Sequence, residues 1–172
     1  MDRIIAVEGI KKTVFGAGTL EQVGPECRAV SANRALVVID QQLAGTEIAA
    51  RALASLKSSR VTAILYGEVT PEPDPALADG GAELARRERV RCVVGIGGGS
   101  TMDVAKAIAV LARNEGKAVD YIGLGLVKKP GLPSIIVPTT AGTGSEVTFT
   151  SVFTLRTTKT TGGNHRPYLS PR

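Results

Sequence analysis

The residues most suited to chemistry in this sequence are three consecutive glycines, Gly97-Gly98-Gly99, followed directly by Ser100. They stand between a segment predicted to be a strand and one predicted to be a helix. Because glycine has no Cβ, such a turn lets backbone N–H groups approach an anion closely, and a helix N-terminus adds unpaired donors and partial positive charge. The run therefore predicts a cradle for the pyrophosphate of a dinucleotide.

The same residues also allow a structural explanation. Ser100 could cap the helix, with Asp103 three residues later completing a capping box. Both interpretations can hold together, but three glycines exceed what a simple turn needs, which favours the phosphate site. We expect Asp103 to be a capping residue, and Lys106 to be a solvated or phosphate-steering charge.

The glycine run departs from the Rossmann fingerprint G-x-G-x-x-G, because Ser100 replaces the third glycine. The acid expected about 20 residues later would be Asp120, which falls in a predicted loop. Asp40 is the better candidate, because it ends the first long aliphatic run. A carboxylate there would accept hydrogen bonds from ribose hydroxyls and repel a 2′-phosphate. An acid at a strand end is also a common turn or capping residue, so both roles stay open.

A second polar loop covers residues 138–146, Pro-Thr-Thr-Ala-Gly-Thr-Gly-Ser-Glu, and again follows a predicted strand. Hydroxyl side chains and glycines at the carboxyl end of a strand can line the crevice in which α/β sheets bind ligands. Taken alone, the loop could equally be a hydrogen-bonded connection.

The elements that must position these loops alternate between strand and helix. Aliphatic runs predict strands over 13–18, 35–39, 61–66, 92–96 and 134–137. Apolar periodicity predicts helices over 19–23, 46–57, 75–88 and 101–113. We expect Thr19 to cap the first helix, and a further strand or hairpin to follow Thr148. The pattern predicts an α/β fold with a Rossmann-like, doubly wound parallel sheet.

The chain length of 172 residues suits one domain better than two. We assign residues 1–158 to a dinucleotide-binding domain and residues 159–172 to an irregular basic tail. Four of the five net positive charges arise from Leu155 onward, where the sequence has no acid. The body is therefore nearly neutral, and aromatics make up only 3% of the chain. A nucleic-acid binder would show a basic stripe with stacking aromatics, so we expect no nucleic-acid partner.

The sequence has no signal peptide and no apolar run near the roughly 20 residues needed to span a bilayer. Its two cysteines, Cys27 and Cys92, lack a CxxC spacing, and we expect Cys92 to be a buried thiol. These features predict a cytoplasmic protein with no membrane partner.

Together, the motif Gly97-Gly98-Gly99-Ser100-x-x-Asp103-x-x-Lys106 and the loop 138–146 resemble the iron-containing (group III) alcohol dehydrogenases. The resemblance runs from about Phe15 to about Phe153. The second loop is the more specific part, because dehydroquinate synthases, glycerol dehydrogenases and maleylacetate reductases carry other residues there. The resemblance implies a dehydroquinate synthase-like N-terminal domain that binds NAD, with NADP as an alternative.

The resemblance also implies a role for each candidate site residue. Asp40 would face the adenosine ribose, and Gly97, Gly98, Gly99 and Ser100 would hold the pyrophosphate. The adenine and ribose side would be lined by Thr139, Thr140 and Thr143. The residues nearer the nicotinamide would be Thr148 and Val152. The substrate implied is a small alcohol or aldehyde.

Three departures from the family pattern bear on function. A lysine that is common shortly after the second loop would fall near Thr161, and Lys159 lies two residues away. Many relatives have Asn where this chain has Glu72. In the family, a helical C-terminal domain follows and binds Fe²⁺ or Zn²⁺ through one Asp and three His, whereas the single histidine here is His165, in the tail. A metal site needs three or four protein ligands. We therefore expect no catalytic or metal-ligating residue in this chain, and a truncated protein without that domain.

Three functions follow as hypotheses. The first is the cofactor-binding half of an alcohol dehydrogenase that transfers hydride between an alcohol or aldehyde and nicotinamide. The second is a non-catalytic dinucleotide-binding module. The third, a dehydroquinate synthase-type lyase, is disfavoured by the loop 138–146. We expect a homo-oligomer, since loss of a packed second domain would expose apolar surface.

Overall fold

A computed structural model describes residues 10–123, 125–155 and 166–168, and its centre is a parallel sheet. Four strands form it: β1 (Arg34–Asp40), β2 (Thr62–Val69), β3 (Cys92–Gly97) and β4 (Ser134–Pro138). Their order is β2-β1-β3-β4, and every neighbouring pair is parallel. The strands predicted over 35–39, 61–66, 92–96 and 134–137 are confirmed, with β2 extending three residues further.

Four helices cover the two faces of this sheet. They are α1 (Val23–Ala29), α2 (Glu47–Ser58), α3 (Pro75–Arg87) and α4 (Gly99–Leu111). Side chains of β1 alternate between two apolar clusters: Leu36 and Val38 pack with α3 and α4, and Ala35, Val37 and Ile39 pack with α1 and α2. The doubly wound α/β fold predicted from the sequence is confirmed.

The direction of the chain changes between β1 and β3. From the central β1 the chain passes through α2 to β2 at one edge, then returns through α3 to β3 on the other side of β1. The connections that leave the carboxyl ends of β1 and β3 therefore diverge to opposite faces of the sheet. Such a switch point opens the crevice in which doubly wound sheets bind ligands.

Close packing of α4 on the sheet depends on Gly95 in β3. A Cβ at Gly95 would lie 2.6 Å from the Cβ of Ala105 in α4 and 3.2 Å from Cδ1 of Ile136. Every residue of β3 is buried, as expected for a central parallel strand. The glycine thus sets the distance between the sheet and the helix that carries the candidate site.

A short antiparallel pair follows the sheet. Strand β5 (Ser151–Phe153) pairs with β6 (Arg166–Tyr168), which confirms the strand or hairpin expected beyond Thr148. Strand β6 lies within 159–172, where an irregular tail was expected; the rest of that tail, including His165, lies outside the described residues. The domain boundary at residue 158 stays a prediction.

The N-terminal part of the described chain differs from prediction. Residues 10–18 form no strand within the described structure, and the side chain of Phe15 is 97% exposed. The helix predicted over 19–23 is a 3₁₀ turn, Thr19–Gln22, that continues into α1. Its N-cap is Gly18, in a left-handed conformation, and not Thr19. The buried residues Val23 and Cys27 are four residues apart, so they lie on the same face of α1.

Two further 3₁₀ turns connect the regular elements, at Ala118–Tyr121 and Ser145–Val147.

Both cysteines are fully buried, and they do not form a disulfide. This confirms the expectation that Cys92 is a buried thiol. A contact with the Cys27 thiol, together with burial, raises the pKa of Cys92. Within the described part of the chain, none of the helices combines the length and apolarity required to cross a membrane.

Candidate functional site

Three neighbouring strand ends meet at one edge of the sheet. Strands β1, β3 and β4 end at Asp40, Gly97 and Pro138, and Gly97 pairs directly with Pro138. The two polar loops leave from this edge and are joined at their base, where Thr139 N donates to Gly97 O at 3.0 Å. The loops predicted to hold a dinucleotide therefore lie side by side.

Helix α4 begins inside the glycine run. Its first residue is Gly99, its N-cap is Gly98, and no side chain caps it. Ser100 is the second helical residue, so the predicted cap at Ser100 is wrong. The first N–H groups of a helix lack intrahelical acceptors, and with this start they belong to Gly98, Gly99, Ser100 and Thr101. Gly98, Gly99 and Ser100 are half-exposed, so an external anion could reach their donors.

The three glycines have different physical reasons to be glycine. A Cβ at Gly97 would lie 2.6 Å from Thr101 Cβ, so packing alone requires glycine there. A Cβ at Gly98 would meet Thr140 Oγ1 at 3.4 Å, and one at Gly99 would meet Thr143 Cβ at 3.5 Å, which are ordinary contacts. Space for a side chain therefore exists at both positions, on the side where the second loop faces the helix N-terminus.

A buried hydroxyl lies in the same turn. Thr101 is fully buried in the first turn of α4, and its Oγ1 has no hydrogen-bond partner among the residues that the structure describes. Buried hydroxyls are normally paired with protein or an ordered water. Sequence reasoning missed Thr101, because a threonine inside a helix gives no signal without the burial.

The second loop is shaped by two glycines. Gly142 and Gly144 have φ values of 94° and 67°, which side chains other than glycine rarely adopt. The resulting turns place Thr140 beside Gly98 and Thr143 beside Gly99. Thr143 Oγ1 also donates to Glu146 Oε2 at 3.2 Å. The loop thus presents two of its predicted cofactor-binding threonines to the glycine run.

Asp40 lies half-buried at the end of β1, beside β3. Its Oδ1 accepts a hydrogen bond from Gln42 N at 2.8 Å, which uses one of the two carboxylate oxygens in a local turn. The turn role is therefore present, and the ribose role remains a prediction. Asp120, which was rejected from sequence, bonds locally: its Oδ2 accepts from Lys117 N at 2.7 Å.

Lys106 and Asp103 correct the sequence prediction most clearly. The Lys106 side chain is 2% exposed and pairs with Asp103 at 2.9 Å, so Lys106 is not solvated and Asp103 is not a helix cap. Burial lowers the pKa of Lys106, and the Asp103 carboxylate opposes that effect. Their spacing of three residues places both charges on one face of the helix and so allows the pair, but the sequence gives no local signal for its burial.

The ion pair contacts the far end of the second loop. Ser145 Oγ donates to Asp103 Oδ1 at 2.6 Å and accepts from Lys106 Nζ at 2.9 Å. Val152 N donates to Asp103 Oδ2 at 2.9 Å, and Lys106 Nζ reaches Thr148 Oγ1 at 3.5 Å. Thr148 and Val152 are therefore fixed against α4, whereas Thr139, Thr140 and Thr143 adjoin the glycine run. Sequence reasoning missed Ser145 in this role.

Glu72 has a left-handed backbone, with φ at 52°, and its side chain is exposed. Asn tolerates this conformation better than Glu does. The local backbone thus gives a structural reason why Asn suits this position.

The residues of this edge do not fit a metal ion. Across the described ranges, no group of three or more His, Cys, Asp and Glu side chains is close enough to bind one. The donors that the edge does offer, backbone N–H groups and hydroxyls, suit a phosphate and sugar hydroxyls.

Comparison with known proteins agrees with this geometry. The sequence profile of the iron-containing alcohol dehydrogenases matches residues 11–172. Long-chain-alcohol dehydrogenase 1 of Geobacillus thermodenitrificans is 39% identical over 147 residues, which is 84% of this chain and 37% of that relative. The chain thus spans little more than a third of the length of this relative.

Two solved structures share the fold. A 1,3-propanediol oxidoreductase superposes with a TM-score of 0.89 and 30% identity, covering 98% of this chain and 43% of the other. The sulfoacetaldehyde reductase of Bifidobacterium kashiwanohense, solved in complex with NAD⁺, gives a TM-score of 0.77 and 32% identity over 90% of this chain and 40% of the other. With its parallel sheet and paired loops, this chain belongs to the iron-containing alcohol dehydrogenase family, and it corresponds to the N-terminal, Rossmann-like part of that family's fold.

Proposed function

We propose that this chain binds NAD across the carboxyl ends of β1, β3 and β4. It would serve as the cofactor-binding part of an enzyme that transfers hydride between an alcohol or aldehyde and the nicotinamide. Gly97, Gly98, Gly99 and Ser100 hold the pyrophosphate, and Asp40 accepts hydrogen bonds from the adenosine ribose. The second loop contacts the adenine and ribose side of the cofactor through Thr139, Thr140 and Thr143. Thr148 and Val152, which follow the loop, lie at the nicotinamide.

One observation carries the proposal. Gly98 and Gly99 lie at an uncapped helix N-terminus, at the switch point of the sheet, with room for a Cβ that the sequence leaves empty. A pyrophosphate in that space would accept hydrogen bonds from the first N–H groups of α4 and gain from the helix dipole. Thr101 Oγ1 in the same turn is buried and has no partner among the described residues, which supports an ordered water there.

The preference for NAD rests on Asp40. A carboxylate at the end of β1 binds two ribose hydroxyls but repels the 2′-phosphate of NADP. NADP remains the alternative cofactor, because the hydrogen bond from Gln42 N to Asp40 gives this carboxylate a structural role as well. Bound NAD supplies the hydride acceptor, and the chain supplies its binding and orientation.

We further propose that this polypeptide alone turns over no alcohol. The Fe²⁺ or Zn²⁺ of the family needs several ligands at fixed geometry, and the described residues offer no such group. A metal-dependent step would need ligands from a full-length family member. This observation favours the second hypothesis, a dinucleotide-binding module without catalysis, for the chain by itself. The family match argues against the lyase.

Two experiments test the proposal together. Calorimetric titration of the 172-residue chain with NAD and NADP should show weak binding, tighter for NAD. Absorbance of NADH in the presence of butanol or propanediol should stay flat with Fe²⁺ or Zn²⁺ added. The absence of heat with either cofactor would contradict the binding site, and metal-dependent NADH formation would contradict the lack of turnover.

We also propose the partners, the cellular location and the oligomeric state of the chain. The partners are a dinucleotide and, in a complete enzyme, a small alcohol or aldehyde. A cytoplasmic setting is supported by two buried free thiols, which suit a reducing compartment. A homo-oligomer is supported by apolar side chains just after the second loop, since Val147 is 54% exposed and Phe149 is 52% exposed.

A further inference from the structure

Lys106 is among the largest fully buried side chains of the described core, which is unusual for a lysine. Its ammonium contacts Ser145 O at 3.0 Å and Ser145 Oγ at 2.9 Å, and it also donates to Thr150 O. With Asp103 at 2.9 Å, these acceptors compensate the buried charge. None of these contacts lies at the glycine run, so the lysine is not a direct part of the pyrophosphate cradle.

The contacts of this ion pair all lead to one segment of chain. Lys106 binds Ser145, Thr148 and Thr150, while Asp103 binds Ser145 and Val152. Both charges come from α4, and every partner comes from residues 145–152. We call Asp103, Lys106 and Ser145 the clamp, because these three side chains join the helix to that segment.

Apolar packing does little to hold residues 147–149 of this segment, whereas Phe153, directly after the segment, is buried in the core. Val147 and Phe149 are more than half exposed, at 54% and 52%. Gly142 and Gly144, which precede the segment, are backbone positions with wide conformational freedom. A buried ion pair adds little net stability compared with apolar packing, but it can select one arrangement of the chain. The clamp is therefore suited to fixing the geometry of the segment.

We infer that the clamp positions the nicotinamide end of the cofactor site, independently of the pyrophosphate cradle. Asp103, Lys106 and Ser145 act as positioning residues: they fix Thr148 and Val152, and they touch no cofactor atom themselves. The inference rests on the proposed NAD site. It goes further in dividing that site into two parts held by different interactions, the helix N-terminus at one end and the clamp at the other.

The division predicts a difference between two ligands. ADP-ribose contains the adenosine and the pyrophosphate of NAD but lacks the nicotinamide. If the clamp acts on the nicotinamide end only, its loss should weaken binding of NAD and leave ADP-ribose unaffected. A general loss of folding would weaken both ligands equally.

The test uses calorimetry of the full chain with both ligands. Ser145→Ala removes the hydroxyl that bridges the two charges, and Lys106→Met removes the ammonium. Lys12→Met is the matched control, because Lys12 pairs with Glu26 on the surface, far along the chain from the clamp. For both clamp variants we expect NAD affinity to fall about tenfold, with ADP-ribose affinity unchanged within about twofold. The control should bind both ligands as the unmodified chain does.

Every result of these titrations other than the expected one would contradict the inference. An equal loss for both ligands would make the clamp merely structural, and no loss for either would remove it from the site. If Lys106→Met fails to fold, Ser145→Ala decides alone, since it keeps both charges. An unmodified chain that binds neither ligand would overturn the proposed function itself. One that binds both, with an unchanged ratio in the variants, would overturn only the clamp.

Discussion

Gly98 is the residue on which the proposed cofactor site most depends. Its backbone, with φ at −79° and ψ at −172°, is open to any residue, and a Cβ would make ordinary contacts. Folding therefore does not require glycine at this position. A ligand whose oxygens must approach the backbone N–H groups does require it.

Gly98→Ala should separate folding from cofactor binding. We expect the free energy of unfolding to change by about 1 kcal/mol at most. NAD affinity should fall by about tenfold or more, because the methyl group occupies the pyrophosphate position. Gly95→Ala is the contrasting variant: its Cβ would press on Ala105, at a cost of about 1–3 kcal/mol. Denaturant titration and calorimetry measure the two effects, and unchanged NAD binding in Gly98→Ala would count against the cradle.

Asp40 should determine the preference of the site for NAD over NADP. Asp40→Gly removes the carboxylate that would repel a 2′-phosphate, so the ratio of NADP to NAD affinity should rise by about tenfold. Asp120→Gly makes the same chemical change at an acid outside the site and should leave the ratio unaltered. Titration of both variants with both cofactors gives the ratio. A ratio in Asp40→Gly equal to that of the unmodified chain would remove Asp40 from the ribose site.

The residues that sequence reasoning misassigned share a physical cause. The sequence predicted Asp103 at a helix cap and Lys106 in solvent, because charged residues usually occupy such exposed positions. Their burial depends on Ser145 and Val152, which are about forty to fifty residues away in sequence. Pairing at such separation is a property of the tertiary fold, and local pattern does not contain it. Asp40 and the glycine run could be located from sequence, because each directly follows an aliphatic strand.

At the scale of the elements, three helices end in the same way. Ser31, Arg60 and Arg89 follow α1, α2 and α3 with φ values of 58°, 57° and 51°. In each case the next residue is buried and donates back to the helix, as Val61 N does to Leu56 O at 2.9 Å. This is the Schellman arrangement, in which glycine is preferred at the left-handed position.

Glycine at these positions should stabilise the protein. For Arg60→Gly and Arg89→Gly we expect a gain of about 0.5–1 kcal/mol each, since the left-handed strain of an L residue is relieved. Arg51→Gly changes the same residue type inside α2 and should cost about 1 kcal/mol. Denaturant unfolding of the variants measures both signs. Destabilisation by Arg89→Gly would contradict the helix-end assignment.

The elements were predictable to the extent that their signals are local. The four parallel strands and α2, α3 and α4 follow from aliphatic runs and helical periodicity. The strand expected over 13–18 failed, because a strand needs a partner, and Phe15 is left exposed without one among the described residues. The start of α4 at Gly99 was missed because glycines are poor helix formers, and only the tertiary position of the run shows that it opens the helix.

At the scale of the whole molecule, exposed apolar side chains just after the second loop predict self-association. We expect sedimentation to show a dimer or a larger species. The double variant Val147→Ser/Phe149→Ser should shift the chain toward monomer, since it removes the exposed apolar surface beside the site. Val119→Ser, at another exposed valine, should have no effect. A clean monomer of the unmodified chain at high concentration would count against this prediction.

A crystal structure of the chain with NAD would show whether the helix N-terminus at the switch point of the sheet holds the pyrophosphate of the dinucleotide. We expect pyrophosphate oxygens within about 2.7–3.2 Å of the backbone nitrogens of Gly99 and Ser100, between the two polar loops. NAD bound elsewhere on the chain, or with its pyrophosphate away from the first turn of α4, would contradict the proposed cofactor site.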